Sequence, residues 1–244
     1  EKYPDGVAIG YFTYELARFF ERLPLAKDES LPDFSFAFYP EIKQALSSPL
    51  PGSDDSVCRN FETSFSKQSY ARAIETLREY IAAGDVYQAN LTQQFVVRLD
   101  GLEPEEIYAR LSRQGAPFRA FVKTPHVTIV SNSPERFFRV ARGRILASPI
   151  KGTIPRGANA REDGTQLAGL LSSPKDRAEN IMIVDLLRND LGRICRFGSV
   201  HDQLWKVEKL PHLFHLVSHV EGSLRSDAGL LEILRALFPC GSIT

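Results

Sequence analysis

Glu135, Lys151, Asp176, Glu179 and His215 are the residues whose types and spacing admit chemistry. Glu135 sits in Ser133-Pro134-Glu135 and Lys151 in Pro149-Ile150-Lys151-Gly152, 151 − 135 = 16 residues later. The stretch between them reads as two short strands joined by a turn at Gly143. A carboxyl enters that hairpin and an amine leaves it, both at the open end, where they could touch a bound ligand. The same two charges on an exposed hairpin would make an ordinary surface ion pair. Asp176 and Glu179 are three residues apart on a helix pattern and share a face. Two such carboxylates suit a hard cation such as Mg²⁺, which keeps several waters and takes one or two protein oxygens. They equally suit the positive end of the helix they open. His215 falls on one strand face with Leu213, Val217 and His219, where a histidine is either a hydrogen-bonded core residue or a catalyst. The closing Gly241-Ser242-Ile243-Thr244 follows a helix, and its backbone amides could hold an anion.

These residues need elements to carry them. Phe137, Phe138 and Val140 supply the first strand of the hairpin, and Ile145 and Leu146 the second. Ser173-Pro174-Lys175-Asp176 is a helix start, with Ser173 as cap and Pro174 at the first position. That helix is expected to run to about Leu191 and to bury Ala178, Ile181, Met182 and Leu186. Ser66 caps a second helix, in which Tyr70, Ala73, Ile74, Leu77 and Ile81 precede Gly84. Val86 to Leu99 alternates as a long strand, Pro104 to Leu111 forms a short helix, and Phe118–Lys123 pairs with Val127–Val130 around Thr124-Pro125. Gly6 to Phe20 reads as a strand running into a helix, and Phe34 to Tyr39 as an aromatic strand. A polar, Gly-containing connection follows Arg156 and leads to an apolar run, Leu167 to Leu171. Leu213 to Gly222 is a strand. Asp227 caps a last helix that carries Leu230, Leu231, Leu234 and Phe238 and ends at Pro239. Residues 40–66, rich in Ser, Pro and Asp, are expected to form an exposed loop or linker.

Composition narrows the class. At 244 residues the chain can bury a substantial single core. Lys+Arg and Asp+Glu both number 30, so the basic footprint of a nucleic-acid partner is missing. No apolar run approaches the roughly 18 residues of a membrane span. Cys58, Cys195 and Cys240 are far apart, which argues against a zinc site or a disulfide framework. With no signal-peptide pattern, the expected setting is the reducing cytoplasm. Dinucleotide, P-loop, nucleophile-elbow and HExxH patterns are all missing. Residue patterns alone therefore lead to an α/β or α+β domain with a candidate acid, amine and cation site.

Taken together, the motifs go further. GYFTYELARFFERLP at 10–24, GDVYQANLTQQF at 84–95, SPERF at 133–137, PIKGTIPRG at 149–157, KDRAENIMIVDLLRNDLGR at 175–193, HLVSHVEGSL at 215–224 and FPCGSIT at 238–244 occur in family order. The chain resembles the chorismate-utilising enzymes, and within them component I of the aminodeoxychorismate synthases. Cys240 stands where Gly is the commoner residue. The resemblance implies an α+β fold of two stacked, mostly antiparallel sheets surrounded by helices. It implies a single chorismate-binding domain over residues 1–244, cut short at its C-terminus, because family chains continue beyond GSIT.

It also implies chorismate as substrate, Mg²⁺ as cofactor, and a separate glutamine amidotransferase subunit that supplies ammonia. The position after Pro-Ile discriminates between siblings, with Ala typical of anthranilate synthases and Lys of aminodeoxychorismate synthases, as in Lys151. By resemblance Lys151 is a covalent nucleophile. Glu135 is the acid that protonates the departing hydroxyl and then a base toward ammonia. His215 lies near that hydroxyl and assists Glu135. Thr153 with Gly241, Ser242, Ile243 and Thr244 contacts the substrate carboxylates, and Glu179 with Asp176 binds the metal. An anthranilate or isochorismate synthase, and a non-catalytic binding fragment, are the alternatives.

Overall fold

The computed structural model describes residues 6–22, 31–43, 61–99 and 101–243. Thr244 and the central part of the expected 40–66 loop lie outside them. The architecture is mixed α/β with antiparallel sheets and helices.

The N-terminal part folds as hairpins. β1 (Val7–Phe12) pairs with β2 (Phe34–Tyr39) in unbroken antiparallel register, and a 3-10 turn over Tyr14–Phe19 follows β1. β3 (Glu62–Thr63), within the expected loop, pairs with β4 (Phe95–Val96). Between them runs α1 (Lys67–Ala83). Ser66 caps it by accepting from the Ser69 amide, and Gly84 ends it in the left-handed region. The long strand expected over Val86–Leu99 does not form, because among the described residues only Phe95–Val96 finds a partner and that partner is two residues long. Alternation marks a strand only when a neighbour exists to complete its hydrogen bonds. α2 (Pro104–Ser112) starts at its proline, and β5 (Phe118–Lys123) pairs with β6 (Thr128–Ser133), which delivers the chain to Glu135.

The remainder forms the sheet that organises the site. β7 (Arg139–Ala141) and β8 (Arg144–Ala147) make a tight hairpin. Its two turn residues, Arg142 and Gly143, both have positive φ (51° and 71°), as a two-residue turn matched to strand twist demands. β9 (Ile150–Pro155) is a separate strand, so the amine lies beyond the hairpin and not at its mouth. β11 (Leu213–Ser223) is the spine of the sheet. β10 (His201–Lys209) lines one edge, while β8 and β9 lie end to end along the other.

Two helices cover this sheet. α3 (Ala160–Ser172) is capped by Asn159, whose side chain accepts from the Arg161 and Glu162 amides. It begins well before the expected apolar run, in a segment whose Gly164 and Thr165 conceal its helical pattern. α4 (Pro174–Gly192) begins where expected, with Ser173 accepting from the Asp176 amide. Its buried face differs from the expected stripe. Asn180, Ile183, Val184, Leu187 and Leu191 are buried, whereas Ala178, Ile181 and Leu186 are exposed. The cause is Asn180, a fully buried polar residue that shares its hydrogen bond with Ser218 on β11. α5 (Leu230–Leu237) starts from Gly229, not Asp227, and buries Ile233, Leu234, Ala236 and Leu237, which leaves Leu230 and Leu231 outside. The main core joins α4, α5, β8 and β11 through Ile145, Ile183, Leu187, Leu191, Val220 and Leu237. No helix among the described residues is long and apolar enough to cross a membrane.

Candidate active site

The β9–β11 ladder is interrupted where it matters. Ile150 pairs with Val217 and Thr153 with His215, so Lys151 and Gly152 together face the single residue Leu216. This is a β-bulge, a device that bends a strand and re-aims its side chains. Gly152 adopts φ +97°, and a Cβ there would lie 3.0 Å from the Asp176 Cβ and 3.1 Å from Leu170 Cδ1. Glycine is thus required twice over, by backbone angle and by the close approach of β9 to α4.

The bulge delivers Lys151 to Glu135. Lys151 Nζ donates to the Ser242 carbonyl at 3.1 Å, and Ser242 Oγ donates to Glu135 Oε1 at 2.9 Å. The carboxyl also accepts from the Ile150 amide, the residue before Lys151. The two side chains expected to act together therefore share one site. What the residue pattern missed is the bridge: Ser242 was expected to contribute backbone, and its hydroxyl makes the link.

Aromatic packing brings these distant segments together. Phe137 stacks edge-on with Phe138 at 4.8 Å and meets Phe238 at 6.1 Å between ring centroids. Phe238 also contacts Tyr14 and Phe20. The rings thus tie the Glu135 segment to the turn Cys240–Ile243 that follows the cis Phe238–Pro239 bond. A Cβ on Gly241 would reach 2.2 Å from Leu186 Cδ2, so this turn lies directly against α4. Ser242 is buried, whereas Ile243 is exposed.

Burial raises the Glu135 carboxyl above the ordinary glutamate range, against the opposing hydrogen bonds from Ser242 and Ile150 and the charge of Lys151. A carboxyl held in this way is suited to keeping a proton and giving it up. His215 is only 5% exposed. Burial depresses its basicity and favours the neutral ring, with the Glu208 charge opposing. Its Nδ1 bonds the Thr153 hydroxyl at 2.8 Å, while its Nε2 is buried with no partner among the described residues. A buried donor or acceptor left open in this way can receive a ligand atom. Among the described residues no hydrogen bond joins His215 to Glu135. Thr153–His215 is a pair beside the Glu135–Ser242–Lys151 cluster, not part of it.

Asp176 and Glu179 open α4, next to the bulge. Asp176 packs on Gly152, and its carboxylate carries no hydrogen bond or ion pair among the described residues. Glu179 meets Lys175 at 3.8 Å on an exposed surface. No group of three or more His, Cys, Asp or Glu side chains among the described residues could hold a metal. The uncommitted Asp176 beside the bulge has the chemistry of a ligand for a hard cation such as Mg²⁺, which takes only one or two protein carboxylates.

Comparisons with known proteins identify the family and the fold. The model for the chorismate binding enzyme family matches residues 1–244. The chain is 38% identical to aminodeoxychorismate synthase component 1 of Klebsiella aerogenes and 36% identical to that of Escherichia coli K12, in each case over 98% of this chain and 59% of the relative. It is 34% identical to anthranilate synthase component 1 of Methanothermobacter thermautotrophicus, over 98% of this chain and 56% of that one. It therefore spans under two thirds of these relatives' length. The solved anthranilate synthase component I of Streptococcus pneumoniae superimposes with a TM-score of 0.81 at 26% identity, covering all of this chain and 63% of that one. Matched by that family model over residues 1–244, the chain belongs to the chorismate-binding enzyme family.

Proposed function

We propose that this chain carries the chemistry of an aminodeoxychorismate synthase, in which chorismate and ammonia give 4-amino-4-deoxychorismate and water. The observation that carries the reading is the chain of contacts Lys151–Ser242–Glu135, an amine and a proton-holding carboxyl on one bridging residue. Similarity to aminodeoxychorismate synthases over 98% of the chain supports it.

Neutral Lys151 Nζ attacks C2 of the ring. Both ring double bonds shift, the C4–O bond breaks, and the hydroxyl leaves as water with the Glu135 proton. Ammonia then attacks C4, the double bonds return, and Nζ leaves C2 as a neutral amine. The new ammonium gives one proton to Glu135, so both residues end as they began. Splitting a hard substitution into two displacements is covalent catalysis. His215, with its open Nε2, is assigned to the departing hydroxyl. Thr153 and residues 241–244 are assigned to the substrate carboxylates. Asp176 and Glu179 would hold Mg²⁺, which supplies neutralising charge to a substrate carboxylate when bound. The name "component 1" of the relatives implies a second component, and we assign to it the role of a glutamine amidotransferase that supplies ammonia.

The test is product identity. With chorismate, an ammonium salt and Mg²⁺, separation and mass spectrometry should find 4-amino-4-deoxychorismate, and Lys151→Ala should lose it. Anthranilate as the sole product, or an undiminished rate in Lys151→Ala, would overturn the assignment.

A further inference from the structure

The bulge that presents Lys151 lies between two matching side-chain pairs, of which the reaction above uses only one. Ala147 pairs with Val220 and Ile150 with Val217, leaving two residues between on each strand. Ser148 therefore opposes His219, and Pro149 opposes Ser218. Ser148 Oγ and His219 Nδ1 are 2.9 Å apart, and the Ser218 amide donates to the Pro149 carbonyl at 3.2 Å. On the far side of the bulge Thr153 Oγ1 meets His215 Nδ1 at 2.8 Å. Two hydroxyl–imidazole pairs thus join β11 to the opposite edge, one before Lys151-Gly152 and one after.

A bulge is a soft point in a ladder, since two residues face one and a ladder bond is missing. Here the break between β8 and β9 adjoins it, in a segment where Pro149 has no amide to donate. Something must fix the backbone there if the Ile150 amide is to meet Glu135 and Lys151 is to meet Ser242. The charges that act on the His219 ring are Lys206, Glu208, Arg136 and Glu221. Ring burial is the leading influence and disfavours the imidazolium.

We propose that Ser148 and His219 form a positioning pair that, from β11, holds the bulged segment in the register that sets Lys151 against Ser242 and Glu135. This inference rests on Lys151 as the nucleophile for its catalytic consequence, but not for its geometric one.

The experiment compares Ser148→Ala, His219→Leu, the double variant and His219→Asn, which keeps a polar atom near the Nδ1 position. The first readout is the rate of reductive methylation of Lys151, followed by peptide mass spectrometry relative to the exposed Lys175. This needs no turnover, so it stands whatever reaction the wild type catalyses. Labelling of Lys151 should rise several-fold in Ser148→Ala and His219→Leu, with other lysines unchanged, and should return toward wild type in His219→Asn. The second readout is chorismate consumption, whichever product forms. kcat should fall about tenfold with KM nearly unchanged, because displacement of a reacting group costs rate. The double variant should match either single one, since both remove one bond. Unchanged Lys151 labelling, a uniform rise at all lysines, or additive losses in the double variant would overturn the proposal.

Discussion

Replacing Gly152 by alanine tests the bulge directly, and Gly84→Ala is its control. Both glycines have positive φ, +97° and +85°. A Cβ at Gly84 would meet nothing within 4 Å, so only the conformational cost applies, about 1–2 kcal/mol. At Gly152 the backbone angle alone costs about 1–3 kcal/mol. The added methyl also lies 3.0 Å from the Asp176 Cβ, an atom fixed close to the α4 backbone, and 3.1 Å from Leu170 Cδ1, which can give a little. Overpacking of this kind adds about 1–3 kcal/mol. The sum, about 2–6 kcal/mol, is a large share of a domain's typical stability of about 5–15 kcal/mol. Urea unfolding with a shared slope should give Gly152→Ala a loss at least about 1 kcal/mol greater than Gly84→Ala. Whatever folded Gly152→Ala survives should be slower by about tenfold or more in kcat, because moving the bulge moves Lys151. Equal losses in the two variants, or a stable Gly152→Ala of full activity, would refute this account of the bulge.

The same packing and burial set other outcomes. Gly241→Ala should cost less than its 2.2 Å contact suggests, under about 1 kcal/mol. The obstructing atom is the tip of Leu186, which is 41% exposed and can turn outward. A urea-measured loss above about 2 kcal/mol would show the turn to be rigid. Burial depresses the basicity of His215 and His219, so the folded chain binds fewer protons there than the unfolded chain. Their contribution is present above about pH 6.5 and is lost as the pH falls, and the acid-side decline of the urea midpoint should be shallower in His215→Asn. Glu135 has the opposite sign. Its raised value means a contribution present in acid and lost as the pH rises past the ordinary glutamate value of about 4.3. Glu135→Gln should therefore melt higher than the wild type at neutral pH while losing turnover.

The helix ends were legible because capping is local chemistry. Ser66 with Gly84, and Ser173 with Pro174, announce their helices within a few residues. What the residue pattern could not contain was set by partners distant in sequence. Val86–Leu99 alternates like a strand but among the described residues pairs only with Glu62–Thr63. The buried stripe of α4 was misplaced because Asn180 Oδ1 accepts from the Ser218 hydroxyl, 38 residues away, and a polar residue does not advertise a core position. β10 escaped notice for a related reason: it bulges at Leu204–Trp205, where Trp205 has φ 56°, and this breaks its alternation. The acid and the amine were legible as types. Their meeting was not, because it depends on a bulge opposite Leu216 and on a serine 107 residues from Glu135.

The most direct test of the central claim is mass spectrometry of the protein after exposure to chorismate and Mg²⁺ without ammonia. The account predicts a species heavier by chorismate less one water, carried on the peptide containing Lys151, absent from Lys151→Ala and discharged when ammonium is added. An unmodified Lys151 in a preparation that forms 4-amino-4-deoxychorismate at full rate would contradict it.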